Sequence, residues 1–207
     1  WDNAYIVHDL CDDADTLLNI FDACKEFGTE DNVIEFTSTS KITFPGAGIS
    51  AIAASPKNIA MIKDRLKSQT ISYDKMNQLR HVKYFKNADG IKAHMKKHAK
   101  LLAPKFNIVL ETLEKELKDN DLASWSSPKG GYFISLDVNH CSAKRVGEIC
   151  KELGVVLTTV GATFPYGIDP DDRNIRIAPS YPSTDELQKA ADILCLAVKL
   201  ATIEALV

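Results

Sequence analysis

One long helical pattern, from about Ala88 to Lys118, divides this sequence into two stretches, each mixing strand-like and helix-like patterning. A long helix between two such regimes reads as a domain connector, and Pro104 is expected to bend or split it. Ahead of it, a helix is expected from about Asp15 to Phe27, with Leu17, Leu18, Phe21, Cys24 and Phe27 on one stripe and Gly28 as its stop. Val33–Thr37 reads as a buried strand and Ser50–Ala54 as a second. Ser55-Pro56 then opens a helix, as cap and first helical residue, with Ile59, Met61, Ile62 and Leu66 on its buried side.

Beyond the connector come a turn at Pro128–Gly131, a strand over Tyr132–Val138 and a helix from about Ser142 to Leu153, stopped by Gly154. Val155–Val160 and Asn174–Ala178 read as further strands. A capping box at Ser183-Thr184-Asp185-Glu186 starts a last helix reaching to near Leu206, with Leu187, Leu194, Val198 and Ala201 on one side. Alternation of this kind is the mark of a layered α/β protein.

At 207 residues, with 45% apolar and 26% charged residues, the chain has enough for a core and a wet surface. The net charge of −3 gives no argument for nucleic acid or an anionic membrane as a partner. No apolar run is long enough to span a bilayer, and no signal peptide is visible. Five scattered cysteines, with no Cys-x-x-Cys pair, suggest neither zinc nor a disulfide framework; free thiols in a cytoplasmic protein are the simplest reading. The chain opens on Trp1 and runs straight into Asp2-Asn3-Ala4-Tyr5-Ile6-Val7, which looks like the end of a strand and suggests a piece of a larger protein.

Chemistry concentrates around Lys41, in Phe36-Thr37-Ser38-Thr39-Ser40-Lys41-Ile42-Thr43-Phe44-Pro45-Gly46-Ala47-Gly48. Hydroxyls and a glycine turn can cradle a phosphate, and a lysine beside them can form a Schiff base with a carbonyl cofactor. Asp2 and Tyr5 could bring a carboxylate and a phenol to one cleft, the two groups that the ring nitrogen and ring oxygen of pyridoxal phosphate need. Arg176, between Ile175 and Ile177 on a strand, is suited to fork onto a carboxylate. Arg173 is expected to be solvated or paired by the Asp169-Pro170-Asp171-Asp172 loop. His94 and His98, four apart on a helix, read as solvated rather than as a metal pair, and the lysines between Lys83 and Lys105 as a wet helix face.

These blocks together resemble the C-terminal half of a fold-type-I pyridoxal phosphate-dependent aminotransferase. The similarity is closest to the aspartate aminotransferase subgroup often labelled Ic, and it covers almost the whole chain. It is carried by Asp2-Asn3-Ala4-Tyr5, the Ser40–Gly48 run, Asn77-Gln78-Leu79-Arg80-His81, Lys129-Gly130-Gly131-Tyr132-Phe133-Ile134-Ser135-Leu136-Asp137, Gly161-Ala162-Thr163-Phe164-Pro165-Tyr166-Gly167 and Ile175-Arg176-Ile177-Ala178. The resemblance implies residues 1–100 as the C-terminal part of a mixed-sheet large domain, with the start of the connecting helix, and residues 101–207 as a smaller α+β domain. It implies Lys41 as the Schiff-base lysine, Asp2 on the pyridinium, Tyr5 on the ring oxygen, Ser38 with Ser40 on the phosphate, and Arg176 on the substrate α-carboxylate. A homodimer and the missing N-terminal half are the implied partners. A distal-carboxylate contact could come from around Lys75, Asn77, Gln78 and Arg80. One departure stands out: many relatives carry an arginine about eight residues after the lysine, and here the stretch reads Gly46-Ala47-Gly48-Ile49. The same scaffold serves β-lyases, decarboxylases and effector domains, and a truncated chain could be a fragment that only packs or dimerises.

Overall fold

Trp1–Asp9 with Asp13–Lys97 form one unit, and Leu10–Asp12 with His98–Val207 form a second, in a computed structural model that describes residues 1–207. The centre of the first unit is strand β1 (Ile34–Ser38). Strand β2 (Ser50–Ala54) pairs with it antiparallel, from Ile34 opposite Ala54 to Ser38 opposite Ser50. Along the other edge of β1 the segment Trp1–Asn3 runs parallel: Phe36 N–H donates to the Trp1 carbonyl (2.8 Å) and Asn3 N–H to the Phe36 carbonyl (2.7 Å). The expected strand is therefore present, but half-exposed. Phe36 and its cross-strand partner Ile52 are 48% and 39% exposed.

Helix α1 (Ile20–Phe27) is shorter than the apolar stripe suggests. The Asn19 side chain accepts from Phe21 N–H and fixes the start, so Leu17 and Leu18 lie outside the helix and exposed; Cys24 alone of the stripe is buried. Gly28 closes it at φ 62°, with its N–H on the Lys25 carbonyl, a conformation glycine adopts without a Cβ penalty. Helix α2 (Pro56–Leu66) starts at the Ser55 cap, and its apolar residues stay incompletely covered, Met61 being exposed. Helix α3 (Lys75–Phe85), which the sequence pattern did not disclose, buries Asn77, His81 and Phe85 at i, i+4 and i+8. The core of this unit is small: Ile42, Phe85 and Met95, with Val7 and Ile91 packed against them.

The long helix α4 (Ala88–Leu117) is continuous through Pro104. Proline there removes the bond to the Lys100 carbonyl, but Lys100 is exposed, so water can replace it. Burial of Leu102, Phe106, Val109 and Leu113 on either side favours the unbroken helix. In the second unit, strands β3 (Ala123–Trp125), β4 (Ile134–Val138) and β5 (Asn174–Ile177) form an antiparallel sheet with β4 in the middle. Ile134, Leu136, Val138, Ile175 and Ile177 share its apolar face, packed in a core to which α4, α5 (Ala143–Glu152) and α6 (Thr184–Leu206) all contribute. The Ser183–Glu186 capping box is made in both directions and opens α6, with Leu187, Leu194, Val198 and Ala201 buried as the periodicity predicts.

Val155–Val160 is not a strand. Val155 N–H closes the turn after α5 on the Cys150 carbonyl (2.8 Å), and Val155, Leu157 and Val160 pack on the core without a ladder partner. The apolar, β-branched character of this run reports packing rather than pairing. β3, three residues long, supplies the sheet edge instead.

Candidate functional site

Lys41 lies on the turn that leaves β1. Thr39 is the hub of that turn: its carbonyl accepts from the N–H groups of Ile42 (2.9 Å) and Thr43 (2.8 Å), and its Oγ1 accepts from Ile49 N–H (2.9 Å). The chain comes back so closely that a Cβ on Gly48 would sit 3.0 Å from Ser40 N and 3.2 Å from Ser40 Cα, which is why glycine stands there. Lys41 is exposed, and its amine enters no ion pair within the chain. Ser38 and Ser40, both half-buried, have their Oγ atoms 2.8 Å apart. The same unit holds Asp2, bridged to Phe36 and accepting from Ala4 N–H through Oδ1 (3.0 Å). Tyr5 stands edge-on to His8, ring centroids 5.5 Å apart.

Three histidines grip this turn, and none was singled out for it by sequence reasoning. His8 Nε2 is 3.2 Å from the Lys41 carbonyl, His94 Nε2 is 2.9 Å from the Ile42 carbonyl, and His81 Nε2 is 3.0 Å from Thr39 Oγ1 and 3.1 Å from Thr43 Oγ1. Carbonyl oxygens only accept, so His8 and His94 present N–H there. Asn77, one helical turn before His81, donates from Nδ2 to the carbonyls of Ala47 (2.8 Å) and Gly48 (3.1 Å). The signal in the sequence was a polar pair, Asn77 and His81, in the stripe that Phe85 completes. His94, expected to be solvated, is instead tied to Ile42.

Burial lowers the pKa of His8 below its ordinary 6.5, against the opposing pull of its bond to the Lys41 carbonyl. A base whose folded pKa is depressed stabilises the fold fully above the unfolded value and loses that contribution as pH falls through the folded one. Unfolding midpoints of the full-length protein are therefore expected to fall between about pH 7.5 and 5.5, and His8→Gln to shrink that fall. An unchanged difference in the variant would remove His8 from the account.

Arg176 belongs to the second unit. It lies opposite Ser135 in the β4–β5 register, on the face away from Ile175 and Ile177. Its guanidinium carbon stands 4.7 Å from the centroid of the Phe133 ring, a cation–π contact that holds the fork flat, and its Nε is buried with no partner. Arg176 also lines a cavity of about 200 Å³ whose other walls include Val109, Val155, Leu157, Leu187 and Leu194. The acidic loop holds Arg173 only through its backbone N–H; the guanidinium turns elsewhere, Nε donating to the Val138 carbonyl (2.9 Å) and Nη2 to Asn139 Oδ1 (2.7 Å). Asp169 is occupied with the N–H groups of Asn174, Arg173 and Asp171, the first of which does most to hold its carboxyl below the usual range. All five cysteines are free; burial raises Cys150 to about 11 and Cys195 to about 12, which leaves both thiols unreactive.

The model of the aspartate amino-transferase family matches residues 1–207. An aspartate aminotransferase of Corynebacterium glutamicum is 44% identical over 204 residues, covering 99% of this chain and 47% of that protein. The solved aspartate transaminase from the same organism superposes with a TM-score of 0.94 at 44% identity, over 99% of this chain and 48% of that one. An alpha-aminoadipate aminotransferase from Thermus thermophilus, solved with N-(5'-phosphopyridoxyl)-L-leucine, shares the fold with a TM-score of 0.78 at 20% identity, over 100% of this chain and 50% of its own. The chain spans about half the length of the curated relatives it matches, and it has the mixed α/β fold of their C-terminal half.

Proposed function

Because this chain belongs to the aspartate amino-transferase family, we propose that the full-length protein is a pyridoxal phosphate-dependent aminotransferase. It would move an amino group from an amino acid, aspartate, to a 2-oxo acid, 2-oxoglutarate, working as a cytoplasmic homodimer. Residues 1–100 would be the C-terminal part of its large domain and residues 101–207 its small domain. The observation that carries this reading is the Lys41 turn, an exposed amine on a backbone pinned from several sides beside two hydroxyls.

The residues present fit the cofactor. Ser38 and Ser40 bond each other and can turn toward a phosphate. Arg176 has a buried Nε lacking a partner, which suits a fork awaiting a carboxylate. When bound, the cofactor supplies an electron sink for negative charge at the substrate Cα. Lys41 would hold that group through its amine, and the same amine, as a base, would take and return the proton at the substrate Cα. Asp2 would hold the proton on the ring nitrogen, Tyr5 would donate to the ring oxygen, and Arg176 would orient the substrate carboxylate. With no arginine in Gly46–Ile49, the phosphate charge would be met by Ser38, Ser40, backbone N–H groups and residues outside this chain.

Borohydride reduction of the full-length protein with pyridoxal phosphate, followed by peptide mapping, is expected to label Lys41; a label elsewhere overturns the assignment. The isolated chain is expected to bind the cofactor poorly and to be inactive, since it spans about half the length of its relatives. Tight stoichiometric binding by the chain alone would contradict that.

A further inference from the structure

Three imidazoles from three parts of the chain converge on consecutive groups of one five-residue turn. His8 comes from the segment after Trp1–Asn3, His81 from α3 and His94 from α4; they bond the Lys41 carbonyl, the Thr39 hydroxyl and the Ile42 carbonyl, and Thr43 Oγ1 lies against His81. The Lys41 side chain itself is left out of every one of these contacts. We propose that His8, His81 and His94 form a brace whose role is to position Lys41, holding the turn rigid while leaving the amine free to react. This inference rests on the reading of Lys41 as the cofactor-bonding lysine.

One set of hydrogen bonds accounts for these contacts, with Thr43 Oγ1, 3.1 Å from His81 Nε2, in contact but not donating to it. Asn77 offers only a carbonyl to His81 Nδ1 (2.9 Å), so Nδ1–H donates there and Nε2 accepts. Thr43 Oγ1 is 3.1 Å from the Thr39 carbonyl and donates to it. Thr39 Oγ1, which already accepts from Ile49 N–H, is then the hydroxyl that donates to His81 Nε2 at 3.0 Å. Tyr84 OH is 3.3 Å from His94 Nδ1 and can donate to it, which leaves Nε2–H for the Ile42 carbonyl. Each imidazole thus uses a donor toward a backbone carbonyl, and His81 and His94 each add an acceptor. His81 and His8 are 6% and 2% exposed, so water competes poorly for these bonds.

A rigid turn has a kinetic value. Lys41 must meet one carbon in one orientation, and every rotatable backbone bond left loose lowers the fraction of time it does so. Phenylalanine at position 81 keeps a ring in the pocket and removes both nitrogens. Glutamine keeps a polar group able to donate and accept near the reach of Nε2.

The test uses the full-length protein in its parent, His81→Phe and His81→Gln forms. Two readings are taken: amide hydrogen exchange at Ile42 and Thr43, whose N–H groups bond the Thr39 carbonyl, and the rate at which borohydride-trappable imine forms at Lys41 when pyridoxal phosphate is added to the cofactor-free protein. In His81→Phe, exchange at Ile42 and Thr43 is expected to rise about tenfold and imine formation to slow about tenfold. In His81→Gln both are expected within about threefold of the parent. Exchange in β4 and β5 stays as it was. A folded His81→Phe protein with unchanged exchange overturns the brace. Faster exchange with an unchanged rate of imine formation overturns the positioning role. A parent that forms no imine at Lys41 overturns the cofactor reading and the positioning role with it, while the exchange data, which need no cofactor, keep that failure distinct from failure of the brace. If His81→Phe does not fold, His94→Phe and His94→Gln give the same readings through the Ile42 carbonyl.

Discussion

Lys41→Ala in the full-length protein is expected to lower the rate of amino transfer by about 10⁴-fold, the upper end of what a positioned proton-transfer group contributes. The residue is asked to do two things, bond the cofactor and move the Cα proton, and alanine does neither. The substitution is a clean one on structural grounds. The turn is held through the backbone of Lys41 and Ile42 and through Thr39 and Thr43, never through the exposed Lys41 side chain. Stability should therefore change by no more than about 0.5 kcal/mol, and the unfolding midpoint of the variant should match the parent. A small primary amine added to the assay should restore part of the rate, because the missing function is a base of the right kind near Cα. Activity above a tenth of the parent's, in a folded variant, would take the reaction away from Lys41.

What the sequence disclosed about this chain was mostly local. Gly28, the Ser55-Pro56 start and the Ser183 capping box are decided by neighbours a few residues away, and each stands where the pattern puts it. Elements decided by distant partners are less legible, and a local cap can cut an apolar stripe short. Leu17 and Leu18 extend a helical stripe, yet the Asn19 cap starts the helix after them. Val155–Val160 is rich in β-branched residues like a strand, without a strand to pair with. α3 is hard to read in the sequence because its inner face carries Asn77 and His81, which look like surface residues until the turn they hold is in view. The site divides the same way. Lys41, Ser38, Ser40, Asp2, Tyr5 and Arg176 stand out by residue type and by order along the chain. The three histidines do not, since their partners lie 33, 42 and 52 residues away. Chemistry that touches a cofactor leaves a motif; the scaffolding that aims it is written in tertiary contacts.

That scaffolding depends on the junction of α3 and α4, where Gly90→Ala is expected to destabilise the protein by about 2 kcal/mol or more. α3 ends at Phe85, Lys86 takes a positive φ of 64°, and Asn87 caps the next helix by accepting from Gly90 N–H through Oδ1 (3.0 Å). The reversal brings the Phe85 carbonyl against Gly90, and a Cβ there would stand 1.8 Å from that oxygen and 2.8 Å from its carbon. Both are backbone atoms and cannot rotate away. Alanine in a helix gains about 0.8–1.0 kcal/mol over glycine, whereas forcing atoms into a packed site costs about 1–3 kcal/mol when side chains can adjust. Here the backbone has to move, so the clash outweighs the propensity. Gly147, inside α5, is the control: its Cβ would meet only Val160 Cγ2, at 3.0 Å, a methyl group that can turn aside. Gly147→Ala should leave stability within about 1 kcal/mol of the parent, because the same helix-propensity gain now faces a yielding neighbour. Denaturant midpoints of the two full-length variants decide the matter. In Gly90→Ala the displaced α3–α4 junction should also loosen the hold of His81 and His94 on the Lys41 turn and raise amide exchange at Ile42 and Thr43; a Gly90→Ala protein as stable as Gly147→Ala, with that exchange unchanged, would mean that the junction does not set the position of the brace.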